Sequence, residues 1–244
     1  MKKTAFFFLS ALFLLSCGAD VYGNKSAGDP ITREIVLPDF TSLVSLGSFD
    51  VEITQGETQS VVVVGDEKSI DATDFEVVDG VCRLKLKKGT HRNLHLLVKI
   101  TVPNLESIAL QGSGDVEVKS LYSESGSLSL RLSGSGDVEV QSLSANIDRL
   151  SCQLMGSGDI ELDLENELKV NTLDVQLSGS GDIDCSKVAA GTCTIQSRGS
   201  GDVRVGVVDS LEVEGAGSGD VYYSGDPDVK SNLIGTGSLK RSHL

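Results

Sequence analysis

From residue 106 onward, apolar residues fall at every second position in short runs, and glycine-rich corners separate the runs. Segment 130–140 is typical: Leu130, Leu132, Val138 and Val140 alternate with polar residues on either side of Gly134-Ser135-Gly136-Asp137. Alternation with a period of two marks strands with one buried face. Gly-Ser-Gly-Asp occurs six times, with its first glycine at 112, 134, 156, 179, 199 and 217, so the spacing runs from 18 to 23 residues. A worn copy follows at Gly235-Thr236-Gly237-Ser238. Another, Gly47-Ser48-Phe49-Asp50, begins 65 residues before Gly112, about three such intervals.

Aligned on the first glycine, the copies form columns. Four residues before it stand Ile108, Leu130, Cys152, Val175, Ile195 and Val213; four after it stand Val116, Val138, Ile160, Ile183, Val203 and Val221. Short strands at this interval, with no helical period between them, predict an all-β parallel β-helix with coils of about 18–23 residues. One coil cannot bury its apolar face alone, but stacked coils form a continuous aliphatic column. The absence of Trp and the 5% aromatic content suit such a core. Nine intervals counted from Gly47 to Gly235 predict a stack ~43 Å tall at ~4.8 Å per coil.

Every corner must follow nearly the same backbone path to stack. Glycine at the first and third positions permits φ > 0, serine can hydrogen-bond to its neighbour in the stack, and aspartate can cap free N–H groups of the bend. The aspartates Asp115, Asp137, Asp159, Asp182, Asp202 and Asp220 should therefore form a ladder. Two residues on, Glu117, Glu139, Glu161 and Asp184 form a second ladder, ended by Arg204 and Tyr222. Stacked carboxylates repel by ~0.8 kcal/mol per pair in water and ~3 kcal/mol at an effective dielectric of 20. Backbone donors or a cation must offset that repulsion where the groups are partly buried. The pattern favours backbone capping; the alternative is a calcium ladder, since hard cations take several carboxylate oxygens. A glycosidase would need two carboxylates ~5–9.5 Å apart across a bound sugar. Two ladders can supply almost any such spacing, so it identifies nothing. No Ser-His-Asp or Cys-His pattern is present. His91 and His95 lie on a strand-like segment whose Leu94, Leu96, Val98, Ile100 and Val102 point inward, leaving His95 outward.

The chain begins with Lys2 and Lys3, then an apolar run from Ala5 to Leu15 broken only by Ser10. The run is too short to span a bilayer, which takes ~20 residues, but fits the core of a secretory signal. Leu14-Leu15-Ser16-Cys17-Gly18 follows and is similar to a bacterial lipobox, which implies lipidation at Cys17. Removing Lys2 and Lys3 with the signal takes the formal net charge from −14 to −16. Such a chain should repel nucleic acid and anionic lipid. Membrane attachment is then expected through the Cys17 lipid. Cys82, Cys152, Cys185 and Cys193 sit among alternating apolar residues with no Cys-x-x-Cys spacing. They read as small buried hydrophobes more readily than as disulfides or metal ligands, and His91, His95 and His243 lie far from them at ligand spacing.

The lipobox, the repeated Gly-Ser-Gly-Asp-Val/Ile on an alternating background, and Pro103-Asn104-Leu105-Glu106-Ser107-Ile108 leading into Gly112 resemble the auto-transporter adhesin head domain family of Bacteroidetes. The resemblance covers about residues 31–240. It implies a right-handed β-helix, as the hand of parallel crossovers also favours, and supplies no catalytic residues. The expected organisation is a lipoprotein signal at 1–16, a lipidated Cys and flexible tether at 17–30, and a β-helix at 31–244. Its first coils, 31–105, read as less regular than the repeat coils of 106–244. Residues 31–46 are expected to cover one end, and Lys240, Arg241 and His243 to guard the other. The expected role is a non-enzymatic, lipid-anchored outer-membrane protein of the cell envelope, on either its periplasmic or its surface face, that serves as an adhesin or binding protein for a glycan or a host or matrix polymer. The alternatives are a calcium-binding structural solenoid and a polysaccharide-degrading β-helix enzyme.

Overall fold

The computed structural model describes residues 30–89, 94, 96–144 and 146–242. The signal, Cys17, His91, His95 and His243 lie outside the described residues. Of the described residues 61% are in strands and 2% in helix, and they wind into a nearly all-β solenoid of about six turns.

The aligned columns are physical. Strands Ser107–Leu110, Ser127–Leu132, Arg149–Gly156, Leu168–Gly179, Ile183–Gly199 and Val203–Gly217 stack in parallel. Their register places Ile108, Leu130, Cys152, Val175, Ile195 and Val213 one above another. Beyond the corner, Val116, Val138, Ile160, Ile183, Val203 and Val221 stack in the same way. All twelve are buried, with at most 2% of their surface exposed. Burial of this kind contributes ~1.5–3 kcal/mol per aliphatic side chain, which makes the column the main source of stability.

The corner shows why glycine recurs. A Cβ on Gly134 would lie 2.0 Å from the carbonyl oxygen of Gly112, and one on Gly136 would lie 2.0 Å from that of Gly114. The same clash repeats up the stack. Close backbone approach excludes any side chain at both positions. The φ > 0 requirement holds at only some corners, for the first glycine of the upper ones: Gly179, Gly199, Gly217 and Gly235. Serine contributes its backbone N–H: that of Ser135 donates to Gly112 O at 3.0 Å and that of Ser157 to Gly134 O at 2.9 Å.

The early region departs from the expectation. A Cβ on Gly112 would lie 1.9 Å from Gly47 O, so Gly112 sits directly over Gly47 despite the 64 intervening residues. Ser42–Leu46 pairs with Ser107–Leu110, and Asp50–Gln55 with Val116–Val118. From Gly47 to Gly235 there are therefore seven steps, not nine, and the stack shortens to ~34 Å. The inserted chain closes the lower end. Val81–Leu86 lies parallel under Ser42–Leu46, and Leu96–Val102 lies parallel under Asp50–Gln55. Both carry antiparallel partners: Thr73–Val78 on the first, and Ser60–Gly65 on the second, with Ile31–Glu34 outside it. The cap is thus built from Ile31–Glu34, Ser60–Gly65, Thr73–Val78, Val81–Leu86 and Leu96–Val102, while Ser42–Leu46 is a rung of the solenoid. Asp79 and Gly80, both at positive φ, make the tight turn between Thr73–Val78 and Val81–Leu86. That geometry is the hairpin preference of an Asp-Gly pair. A short helix, Glu67–Asp71, is capped by Asp66, whose Oδ1 accepts from the Ser69 N–H at 2.9 Å.

Gly156→Ala should destabilise the fold by about 3 kcal/mol or more, because two backbones must separate. The neighbouring Ser157→Ala should cost under about 0.5 kcal/mol. Urea unfolding of both variants tests the contrast.

Candidate functional site

The corner aspartates do form one column. Each carboxylate Oδ1 accepts the backbone N–H of the residue one coil above. The chain of bonds runs from Asp50 to Asp115 (3.1 Å), Asp115 to Asp137 (2.9 Å), Asp137 to Asp159 (2.8 Å) and Asp159 to Asp182 (2.7 Å). It continues from Asp182 to Asp202 (2.7 Å), Asp202 to Asp220 (2.8 Å) and Asp220 to Ser238 (2.9 Å). The donor offsets the repulsion between neighbouring carboxylates, because a charge-assisted bond is about twice as strong as a neutral one. Among the described residues, no group of three or more His, Cys, Asp or Glu side chains is placed to hold a metal ion. The aspartates run in single file, with one oxygen of each already committed to a backbone donor.

The second ladder is also real, and longer than its sequence motif. Glu52, Glu117, Glu139, Glu161, Asp184, Arg204, Tyr222 and Lys240 occupy successive levels of one outward column. Most of the acids have partners. Lys99 lies 3.3 Å from Glu52, Lys119 pairs with Glu117, and the Gln141 amide donates to Glu117 at 2.8 Å and Glu139 at 3.0 Å. Asp184 accepts the Ser186 N–H at 2.9 Å. Glu161 has no ion-pair partner among the described residues. Partial desolvation, and then the surrounding Asp163, Asp184, Glu139 and Asp159 carboxylates, push its own carboxyl above the usual range.

Higher up, the column changes sign. Arg204 reaches Asp182 at 3.7 Å and Asp202 at 3.6 Å, and its guanidinium stands 5.2 Å from the centre of the Tyr222 ring. Lys240 lies 5.3 Å from the same ring and 2.5 Å from Asp220 Oδ2. The bond from Lys240, followed by those from Ser238, holds Asp220 well below the usual carboxylate range. Arg204 and Tyr222 were legible in the sequence as the end of the acidic row. The contribution of Lys240 was not, because it belongs to the worn last repeat.

The described cysteines are free and buried. Burial pushes the Cys82 thiol up to about 12. Cys152 and Cys185 touch across the interior, with their sulfurs 3.8 Å apart. An open groove of about 490 Å³ lies away from the acidic column, between Gln55, Glu57, Pro103, Ser120 and Tyr122. Tyr122 is half-buried there, in the same groove as the Glu57 carboxylate.

Residues 39–227 match the family described as putative auto-transporter adhesin, head GIN domain. The chain belongs to this family. Among solved structures it is similar to an adhesin-named protein of Bacteroides fragilis, with 25% identity and a TM-score of 0.79. That match covers 88% of this chain and 97% of the other. A protein of Parabacteroides distasonis named for lipid binding aligns over 88% of this chain and 97% of its own, at 24% identity and a TM-score of 0.68. An adhesin-named protein of Parabacteroides merdae aligns over 91% and 98%, at 21% and 0.62. The last two show the fold alone. No functionally described curated protein matches. Membership of this adhesin family points to the cell envelope or the outside of the cell.

Asp159→Ala should cost about 1 kcal/mol by leaving the Asp182 N–H without its acceptor, and Asp159→Asn should stay near wild type. Urea melts distinguish the two. Glu161 titrates higher in the folded state than in the unfolded chain, so its contribution is fully present below the unfolded value, ~4.3, and is lost as pH rises through the folded value. Glu161→Gln should therefore melt higher than wild type at pH 7, with the gap closing near pH 3.5. Melting temperatures across that range test it.

Proposed function

We propose that the protein is a non-enzymatic adhesin of the bacterial envelope, held to the membrane by a lipid on Cys17. On this reading, its outer faces bind a glycan or another extracellular polymer. The observation that carries the reading is the repeat of outward side chains at the coil spacing. Arg131, Gln153, Gln176, Gln196, Glu214 and Asn232 stand in one polar column, and the Gln153 amide donates to Gln176 Oε1 at 3.1 Å. A polymer laid along the stack meets a polar side chain every ~4.8 Å, with an amide that can both donate and accept at Gln153, Gln176, Gln196 and Asn232. Many weak contacts then add within one molecule, as extended repeat surfaces allow.

The acidic column of Glu117, Glu139, Glu161 and Asp184 would favour hydroxyl-rich or cationic groups over nucleic acid or anionic lipid. Among the described residues no helix is long and apolar enough to cross a membrane. The Cys17 lipobox supplies the expected anchor. A binding role also suits the shallow surface, since catalysis on a sugar requires two carboxylates flanking a held substrate.

Protease applied to intact cells should remove the protein, and Cys17→Ser should move it from the membrane to the soluble fraction. A glycan array should then show retention without cleavage. Protection in intact cells with digestion after lysis would rule out adhesion.

A further inference from the structure

The two ends of the solenoid are finished differently. The lower end is closed by the antiparallel cap. At the upper end, among the described residues, Asp228–Gly235 pairs only with Val203–Gly217 below it, and Leu239–Arg241 only with Val221–Ser224. The outer row of N–H and C=O groups on Asp228–Gly235 faces outward along the stack, the arrangement that templates another strand. Its inward positions continue the core columns: Val229 stands over Leu211, Ser231 over Val213 and Leu233 over Gly215. Leu211 is fully buried, yet Val229 is 40% exposed because nothing described lies above it.

We propose that Asp228–Gly235 pairs antiparallel with the same strand of a second copy, about a two-fold axis through Ser231, joining two solenoids end to end. Two-fold pairing that keeps inward residues inward requires the axis to pass through a residue, not between residues. An axis at Lys230 sets two lysines face to face. One at Asn232 sets Val229 against Gly235 and Leu233 against Ser231. The axis at Ser231 opposes Val229 with Leu233 twice, extends the aliphatic core across the junction, and pairs all of residues 228–234. Cross-strand apolar pairs of this kind stabilise an antiparallel ladder.

Charge does not oppose pairing at this end. The chain carries −14 overall, but residues 218–242 hold three acids, Asp220, Asp226 and Asp228, and three bases, Lys230, Lys240 and Arg241. Two copies meeting here therefore bring together segments without net charge, although each chain as a whole is strongly acidic. Each Lys230 also stands over the Glu212 of its own chain, which tempers the approach of the two lysines.

Sedimentation of the full chain in a concentration series should give the mass of two copies. Val229→Lys and Leu233→Lys should each weaken the dimer about tenfold or more while keeping the strand circular dichroism. Ser231→Cys should cross-link two chains under oxidised glutathione, and Asn232→Cys should not, because only residue 231 opposes itself. If the lysine variants fail to fold, the cysteine pair decides. A monomer throughout, growth into longer species, or equal cross-linking at 231 and 232 would overturn the proposal.

Discussion

The closest approach in this molecule is backbone to backbone, where each corner glycine lies under the next. Everything else accommodates that contact. The first and third residues of the corner can carry no side chain, since a Cβ would lie about 2 Å from a carbonyl oxygen one coil below. Holding the corner fixed lets the rest of the coil vary. Between Gly156 and Gly179 the chain takes 23 residues to return, and between Gly199 and Gly217 it takes 18. The difference is absorbed on the return side, where the register shifts between Cys185 and Ala189 and again between Ala190 and Thr192. The corner is a pinned hinge line and the return path is slack. A solenoid can therefore lose or gain several residues per coil without disturbing its aliphatic columns.

The aspartate beside the corner follows from the same contact. Bending the chain at Gly-Ser-Gly leaves the next N–H without a strand partner in its own coil, and an unpaired backbone donor costs as much as a lost hydrogen bond. A carboxylate directly below supplies the acceptor. Repeating the arrangement creates a like-charge column, yet each negative group now faces a backbone dipole as well as its neighbours, and its second oxygen remains near water. Where the solenoid becomes less exposed, at Asp182, Asp202 and Asp220, cations enter: Arg204 bridges two of the carboxylates and Lys240 meets the third. The sign change in the neighbouring column therefore serves the aspartate ladder as much as its own row.

The columns were legible in the sequence because their cause is strictly local and repeated: period two on each side of an invariant corner. The role of Asp was legible in kind, as a cap, but not in geometry, since the donor belongs to a residue 18 to 23 positions away. The early region misled for a physical reason. Alternation reports one buried face and is silent on strand direction, so the antiparallel Ser60–Gly65 and Thr73–Val78 look like coils. The spacing of 65 residues, near three intervals, reinforced the error. Asp79-Gly80 between two alternating runs was the available signal for a hairpin, and Asp66 three residues before Ser69 was the signal for a helix start.

Near the top the core thins in a graded way. Ascending the column two residues before the corner, Leu177 gives way to Ser197, then Gly215, then Leu233. Leu233 leans down over the glycine: a Cβ on Gly215 would lie 2.5 Å from its Cδ2. Removing volume from one rung and refilling it from the rung above packs Leu233 of the last strand onto the stack, although one side of its ladder is open. Its unpaired groups keep strand spacing and direction before any partner arrives, and the ordering cost of adding a strand falls mainly on the partner. A second copy, whose own edge is equally fixed, meets that cost before the two chains touch.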